Sequence, residues 1–282
     1  MGAPVDRALW FIESHFAGTV SLDAVAAVGG LSRYQMSRAF RTETGLSLRQ
    51  YLRARRLSEA ARALAGGAPD ILAVALEAGY ASHEAFSRAF RSQFGMTPAE
   101  LRARRRLDGL PLVGPASRNG GQHVALPPPR FEPLGPLAIA GLGARFEIGR
   151  PAGIPALWQR VHDHLGHIPG QCGDTAYGLC SHRFAGGGEG SFYYLAGVEV
   201  SDLSAIPPEL TGIRLPAQRY AVFPHEGHVS TVGATARAIW QDWLPRSGCR
   251  VGELPDMLER YDHRFDPWNG RGGLEIWLPL KD

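Results

Sequence analysis

Apolar residues in the first hundred positions recur at intervals of three and four, and from about residue 130 the interval shortens toward two. That change separates a helical part of the chain from a mixed one. In the helical part Ser21, Ser32, Ser47, Asp70, Ser82 and Thr97 each stand just ahead of an apolar-periodic run. There a side-chain oxygen can accept from the orphan N–H groups of a first helical turn. Ser32-x-x-Gln35, Ser47-x-x-Gln50 and Thr97-x-x-Glu100 fit the reciprocal capping box, the last with Pro98 at the first helical position. Gly45, Gly66, Gly79 and Gly95 sit where a left-handed stop is expected. The pattern predicts seven helices between about Pro4 and Arg106. A first helix, with Val5, Leu9, Ile12 and Phe16 inward, precedes two helix-turn-helix pairs. A long helix from Leu48 to about Leu64 joins the pairs.

The string Ser37-Arg38-Ala39-Phe40-Arg41 returns unchanged at Ser87-Arg88-Ala89-Phe90-Arg91, with Gly45 and Gly95 four residues beyond each copy. A repeat with one offset and no gaps means one helical unit built twice. Met36 and Phe40 share a stripe that should pack inward, while Tyr34, Ser37, Arg38 and Arg41 follow i, i+3, i+4, i+7 spacing on the opposite face. The second copy turns Phe86 and Phe90 inward and exposes Glu84, Ser87, Arg88 and Arg91. Arginines with short donors and one carboxylate suit base edges, Arg to guanine and Glu to cytosine N4. A charged stripe of this kind is more often a solvated helix face. Its recurrence in register, at the second helix of each pair, favours the DNA-reading alternative.

Residues 5–106 resemble the AraC/XylS DNA-binding domain in motif order. The resemblance rests on Gly79-Tyr80 and on the closing Phe94-Gly95-Met96-Thr97-Pro98-Ala99-Glu100-Leu101-Arg102. It implies that both recognition helices enter successive major-groove segments on one DNA face, about 34 Å apart. By position it assigns base reading to Tyr34, Ser37 and Arg38 in the first helix and to His83, Glu84, Ser87 and Arg88 in the second. Arg41 and Arg91 fall to phosphate contacts, which position the protein without specifying sequence.

Charge supports the division. The chain of 282 residues has a net charge of +3, but residues 1–110 hold 15 arginines against 10 acids, and the remainder is slightly acidic. Cys172, Cys180 and Cys249 form no disulfide framework and no CxxC pair, so a reduced, cytoplasmic setting is expected. No long uncharged apolar run suggests a membrane partner. His162-x-His164-x-x-His167 lacks an acidic or cysteine partner at ligand spacing, so no metal site and no cofactor are expected. The stretch from Leu110-Pro111 to Pro127-Pro128-Pro129 is rich in Pro, Gly, Ser and Asn and reads as a linker. The expected organisation is a helical head over 1–110, a linker over 111–129 and a second domain over 130–282.

In the second domain a strand (Leu137–Phe146) leads into a helix bearing Ala156-Leu157-Trp158-Gln159, followed by strands at Tyr177–Arg183 and Phe192–Val200. A strand (Gln218–Glu226) then leads to Ala238-Ile239-Trp240-Gln241, followed by strands at Met257–His263 and Leu274–Leu280. The shared order suggests an α+β domain of pseudo-twofold symmetry with a ligand cleft between its halves. This part resembles the GyrI-like effector-binding domain, also found behind AraC-type heads. The carrying residues are Pro216-Ala217-Gln218-Arg219-Tyr220-Ala221-Val222-Phe223, Trp243-Leu244-Pro245, Leu258-Glu259-Arg260-Tyr261-Asp262 and Ile276-Trp277-Leu278-Pro279-Leu280. It departs at Gln218-Arg219, where the family carries a glycine, and at loops Gly186–Gly190 and Asn269–Gly273.

The resemblance implies a cleft for bulky aromatic, often cationic compounds, with Glu259 as the acidic residue. Candidate walls are Phe146, Tyr177, Tyr194, Trp240, Tyr261 and Trp277, about half of which should serve as core. A desolvated carboxylate among π-faces favours a delocalised cation. Glu275 is the competing carboxylate and is expected to face away from the cleft. The expected function is a non-enzymatic transcription regulator that binds double-stranded promoter DNA and a small effector, with RNA polymerase as a further partner. It would be nucleoid-associated when DNA-bound. The alternatives are a hydrolase or a sequestering protein for toxic aromatic molecules in the same cleft, and the paired helix-turn-helix units argue against either as sole function.

Overall fold

The structure is a computed structural model that describes residues 4–115, 124–147, 153–182, 184 and 190–281. It resolves into two compact units, Met1–Ser14 with Ser117–Asp282, and His15–Ala116. The first helix, α1 (Pro4–His15), is followed in the helical unit by α2 (Leu22–Gly29), α3 (Arg33–Thr44), α4 (Leu48–Ala65), α5 (Ile71–Glu77), α6 (His83–Phe94) and α7 (Pro98–Arg104). The expected first helix thus ends before Phe16, and Ser14 and the residues before it group with the sheet rather than with α2–α7.

Every expected N-cap forms. The side chains of Ser21, Ser32, Ser47, Asp70, Ser82 and Thr97 each accept from a backbone N–H in the following turn, and all three capping boxes close reciprocally. Gly45, Gly79 and Gly95 adopt left-handed φ values. Gly66 departs from expectation: it keeps φ −70°, and Gly67 takes the left-handed position at +93°. The α4 helix runs one residue further because Gly66 N–H still reaches Arg62 O. Phe86, Phe90, Leu57, Leu64 and Leu101 form a core with no exposed surface, and Met36 and Phe40 are likewise fully buried.

The start of the proline- and glycine-rich stretch is docked on this unit. Leu107, Leu110 and Leu112 pack on the core. Val113 N–H donates to Ser58 Oγ at 2.9 Å, and Val113 O accepts from Arg55 Nη1 at 3.2 Å. Arg55 is fully buried, lies 5.1 Å from the Phe16 ring centroid and pairs with Glu59 at 2.7 Å. Residues 116–123, the middle of the expected linker, lie outside the described residues.

The second unit is built on β1 (Arg130–Leu134), β2 (Leu137–Glu147), α8 (Ile154–His162), β3 (Gln171–Ser181), β4 (Ser191–Val200), β5 (Thr211–Leu215) and β6 (Gln218–His225). A helix α9 (Val232–Ala238) then continues through a π-helical turn (Ile239–Trp243) into α10 (Leu244–Ser247), followed by β7 (Arg250–Val251), β8 (Met257–Tyr261) and β9 (Leu274–Lys281). All pairings are antiparallel, in the order β1-β6-β9-β8-β3-β4-β2-β5, with β7 on β9. Strands β1, β5 and β7, of five residues or fewer, went unpredicted. The β3 strand begins at Gln171, ahead of the expected Tyr177, because a register shift before Ala176 interrupts the period. Arg183 and residues 186–189 of the expected loop lie outside the described residues.

Alternation assigns side chains to two faces. One face packs Leu179, Leu195, Leu215, Tyr177, Leu258 and Trp277 into a single core, over which the sheet curls. The other carries α8 through Leu157 and Val161, and the π-helical turn through Ile239. Strand β8 lies between β3 and β9, so its outward positions on the helix-bearing face fall between the two helices.

The docking of Val113 is testable by unfolding. Ser58→Ala leaves the Val113 N–H without its partner, and Val113→Pro removes the donor itself. Each should lower the stability of the helical unit by about 1–3 kcal/mol, the cost of an unsatisfied half-buried polar group or a lost bond. Denaturant titration followed by helical circular dichroism measures it. A change below about 0.5 kcal/mol in both would count against the docking.

Candidate DNA-reading faces and effector site

On α3 the residues Tyr34, Ser37, Arg38 and Arg41 are exposed, Tyr34 at 75%. On α6 His83, Glu84, Arg88 and Arg91 are exposed and Ser87 is half-buried. All nine expected DNA contacts are therefore on the accessible faces of two capped helices, with Phe40 and Phe90 anchoring the opposite faces. The Glu84 carboxyl is held below the usual carboxylate range by its own backbone N–H and by the Ser82 hydroxyl. It stays an anionic acceptor at neutral pH.

The sheet unit gathers a second site around Glu259, which is 4% exposed. On β8 this residue shares the helix-bearing face with Met257 and Tyr261. Its Oε2 accepts from Tyr194 OH at 2.6 Å and from Tyr261 OH at 2.7 Å. Trp158 on α8 donates its indole N–H to Tyr194 OH at 3.0 Å and stands edge-on to Tyr261 at 5.1 Å. Phe146 stands edge-on to Tyr194 at 6.3 Å, and Phe265 edge-on to Tyr261 at 4.8 Å. Burial raises the Glu259 carboxyl above the ordinary carboxylate range, against the lowering effect of the two phenol donors. Burial and the adjacent Glu259 charge push both tyrosine hydroxyls well up, so they remain neutral donors. Among the described residues no cation pairs with Glu259.

Glu275 is built differently. It lies on the opposite face of β9, pairs with Arg130 at 2.8 Å and Arg260 at 3.6 Å, and accepts from the Trp277 indole at 3.1 Å. Its charge is already compensated, which agrees with its expected orientation away from the cleft.

The expected walls divide. Phe146, Tyr194 and Tyr261 surround Glu259. Tyr177 and Trp277 do not: they belong to the core of the opposite face, because β3 and β9 alternate and these positions are out of phase with Glu259. Trp240 is 37% exposed on the π-helical turn and, among the described residues, makes no ring contact with the cluster. The residues missed were Trp158 and Phe265. Trp158 was legible, since it is the first copy of the Trp-Gln repeat whose second copy, Trp240, was chosen instead. Among the described residues no group of three or more His, Cys, Asp or Glu side chains could hold a metal ion, and no helix is long and apolar enough to cross a membrane.

A paired set of capped helices with basic outer faces and a sheet unit with a buried aromatic-carboxylate site together define a two-part regulator, a DNA-binding part and a ligand-binding part. Comparison with known proteins agrees. A profile of the GyrI-like small molecule binding domain matches residues 127–281, and a helix-turn-helix domain profile matches residues 25–104. The chain is 29% identical to the transcriptional regulator Rob of Salmonella typhimurium over 98% of its own length and 97% of that protein. It is 30% identical to the transcriptional regulator BrlR of Pseudomonas aeruginosa over 45% of its length and 46% of that protein. A crystal structure of an AraC-type transcriptional regulator from Chromobacterium violaceum is 30% identical, covers 38% of this chain and 95% of the other, and superposes with a TM-score of 0.36. The chain belongs to the AraC-type transcription regulators that carry a GyrI-like domain. It is a DNA-binding regulator that senses a small molecule.

One glycine follows from the site's geometry. A Cβ at Gly178 would land on the Tyr194 hydroxyl and lie 2.8 Å from Glu259 Oε2, so the phenol can cross β3 only where there is no side chain. Gly178→Ala should destabilise the sheet unit by about 1–3 kcal/mol through overpacking. Thermal unfolding of the variant, with unchanged stability as the contrary result, decides it.

Proposed function

We propose that α3 and α6 read successive major-groove segments of promoter DNA. Tyr34, Ser37 and Arg38 would read bases from α3, with His83, Glu84, Ser87 and Arg88 doing so from α6. Arg41 and Arg91 contact phosphate. The support is the accessible placement of all nine residues, eight of them as four pairs at one 50-residue offset. The head is taken as residues 1–110, the linker as 111–129 and the effector domain as 130–282, with α1 crossing from the sheet unit into the head. RNA polymerase is proposed as a further protein partner, and the cytoplasm as the compartment.

The effector is a bulky aromatic cation. One observation carries this: Glu259 is a buried carboxylate whose described partners are neutral phenols, set among aromatic rings. A carboxylate in that state is under-compensated, and a delocalised cation supplies both the missing charge and stacking on the rings. Pseudo-twofold symmetry accounts for the site's central position. The order β2-β4-β3-β8-β9-β6 reads alike from either end when β2, β3 and β4 are matched with β6, β8 and β9, and Trp158 and Trp240 then correspond. The site binds without catalysing, because its hydroxyls stay protonated and are engaged by the carboxylate.

Two predictions test these assignments. Arg38→Ala and Arg88→Ala should each cost roughly 1–3 kcal/mol in specific DNA binding and relax preference at one base pair. Arg41→Ala should instead weaken binding to all sequences and reduce the salt slope by about one unit. Titrations against operator and scrambled DNA at several salt concentrations separate the two, and identical slopes with unchanged preference in every variant would overturn the roles.

Glu259→Gln keeps the side chain's shape and removes its charge. It should cost an aromatic cation such as crystal violet about 3–5 kcal/mol while sparing DNA affinity. Glu275→Gln should cost less. Because Glu259 is raised in the free protein, protonation competes with the cation, so affinity should fall as pH drops through that raised value. The carboxyl's contribution to folding has the opposite sense. A raised group stabilises the fold most at low pH, and that stability is lost as pH rises through the folded-state value. Calorimetry of both variants across pH checks this, and equal affinity for wild type and Glu259→Gln refutes it.

A further inference from the structure

The apolar cluster that contains Tyr261 does not come wholly from the GyrI-like span. Trp10 of α1 packs on the cluster formed by Tyr261, Val229 and Leu274, against which Trp158 and Phe265 also pack. Its ring stands edge-on to His228 at 4.8 Å, and the neighbouring Phe11 stands edge-on to Trp268 at 4.9 Å. The loop opposite is shaped for this ring. A Cβ at Gly270 would lie 2.9 Å from the Trp10 indole and 2.8 Å from His228 Nε2, at a left-handed φ of +63°. His228 is 2% exposed, and its Nε2 has no hydrogen-bond partner. It is therefore a packing partner for the indole rather than a polar anchor. Residues 4–15 lie outside both matched spans, 25–104 and 127–281, so neither family accounts for Trp10.

The helix that bears Trp10 runs directly into the helical unit. Immediately after α1, Phe16 O accepts from Arg56 Nε at 2.6 Å, and the Phe16 ring lies under the buried Arg55 guanidinium. One end of a short covalent stretch is thus packed on the cluster that contains Tyr261, the residue that donates to Glu259, and the other is clamped to α4.

We propose that Trp10 is a wall of the effector site and that α1 reports its occupancy to the DNA-binding unit. This rests on the Glu259 reading of the site. A cation seated against Glu259 displaces Tyr261 from its bond to Oε2, and the rings that pack with it, Trp158 edge-on and Trp10 through the cluster of Tyr261, Val229 and Leu274, must follow. Trp10 then offers its π-face to the same charge.

The full-length protein labelled with 5-fluorotryptophan tests the inference, with crystal violet as probe. Trp10→Phe and Trp158→Phe assign two of the six indole resonances by their absence. Crystal violet should move both. Trp10→Leu keeps apolar packing but loses the π-face, so its affinity for the dye should fall about tenfold, whereas Trp10→Phe should stay within about threefold. The change in DNA affinity produced by the dye should shrink in Trp10→Leu as well. A Trp158 resonance that moves while Trp10 does not, or a Trp10→Leu variant that binds and responds like wild type, overturns the inference and leaves the Glu259 site standing. A dye that moves neither resonance overturns both.

Discussion

A single under-compensated charge organises the sheet unit. A carboxylate removed from water is tolerated only when paired, hydrogen-bonded or protonated. At Glu259 the compensation comes from two tyrosine hydroxyls, and the rest of the local sequence follows from holding them there. Tyr194 reaches across β3 only because Gly178 has no side chain. Trp158 fixes the Tyr194 oxygen from the other side, and Phe265 and Trp158 brace the Tyr261 ring. Glu275, paired across the sheet with Arg260 next to Glu259, shows the alternative. Two arginines neutralise it, and it has nothing to offer a ligand.

The helical unit obeys a different constraint, the satisfaction of helix ends. Six side-chain caps set where α2–α7 begin, and their spacing fixes which face of α3 and α6 is free. Because Phe40 and Phe90 are buried at equivalent places, the arginines that flank them are equivalent too. Register, not charge density, makes the two basic stripes equivalent.

How much of this was legible depended on the range of the interaction. Caps and stripes are local, so Ser32, Ser47, Thr97 and the Phe40/Phe90 repeat could be read from neighbours within four residues. The one helical slip, Gly66 for Gly67, is a choice between adjacent glycines that only the closing hydrogen bonds decide. In the sheet unit Glu259 and Tyr261 could be found together because they are two apart on one strand and so share a face. Tyr177 and Trp277 were misassigned because parity relative to Glu259 depends on the pairing register between strands, which no local pattern reveals. Trp10 was invisible as a site residue for a stronger reason: it reaches the site from more than two hundred residues away.

That distance bears on how such a regulator can switch. A ligand moves an equilibrium only by the difference in its affinity for the two states, so the reporting element must touch the ligand's surroundings in one state more than in the other. A helix packed solely in the DNA-binding unit could not sense Tyr261, and one packed solely on the sheet could not bias α4. The α1 helix has its aromatic residues packed in the sheet unit, and its covalent continuation, Phe16, is clamped in the DNA-binding unit by Arg55 and Arg56. Coupling of the ordinary size, about 1–3 kcal/mol, is within what the loss or gain of one indole contact supplies. In the proposed reading the buried carboxylate does more than select a cation. By holding Tyr261 in the empty protein it sets the state from which the ligand must move the helix.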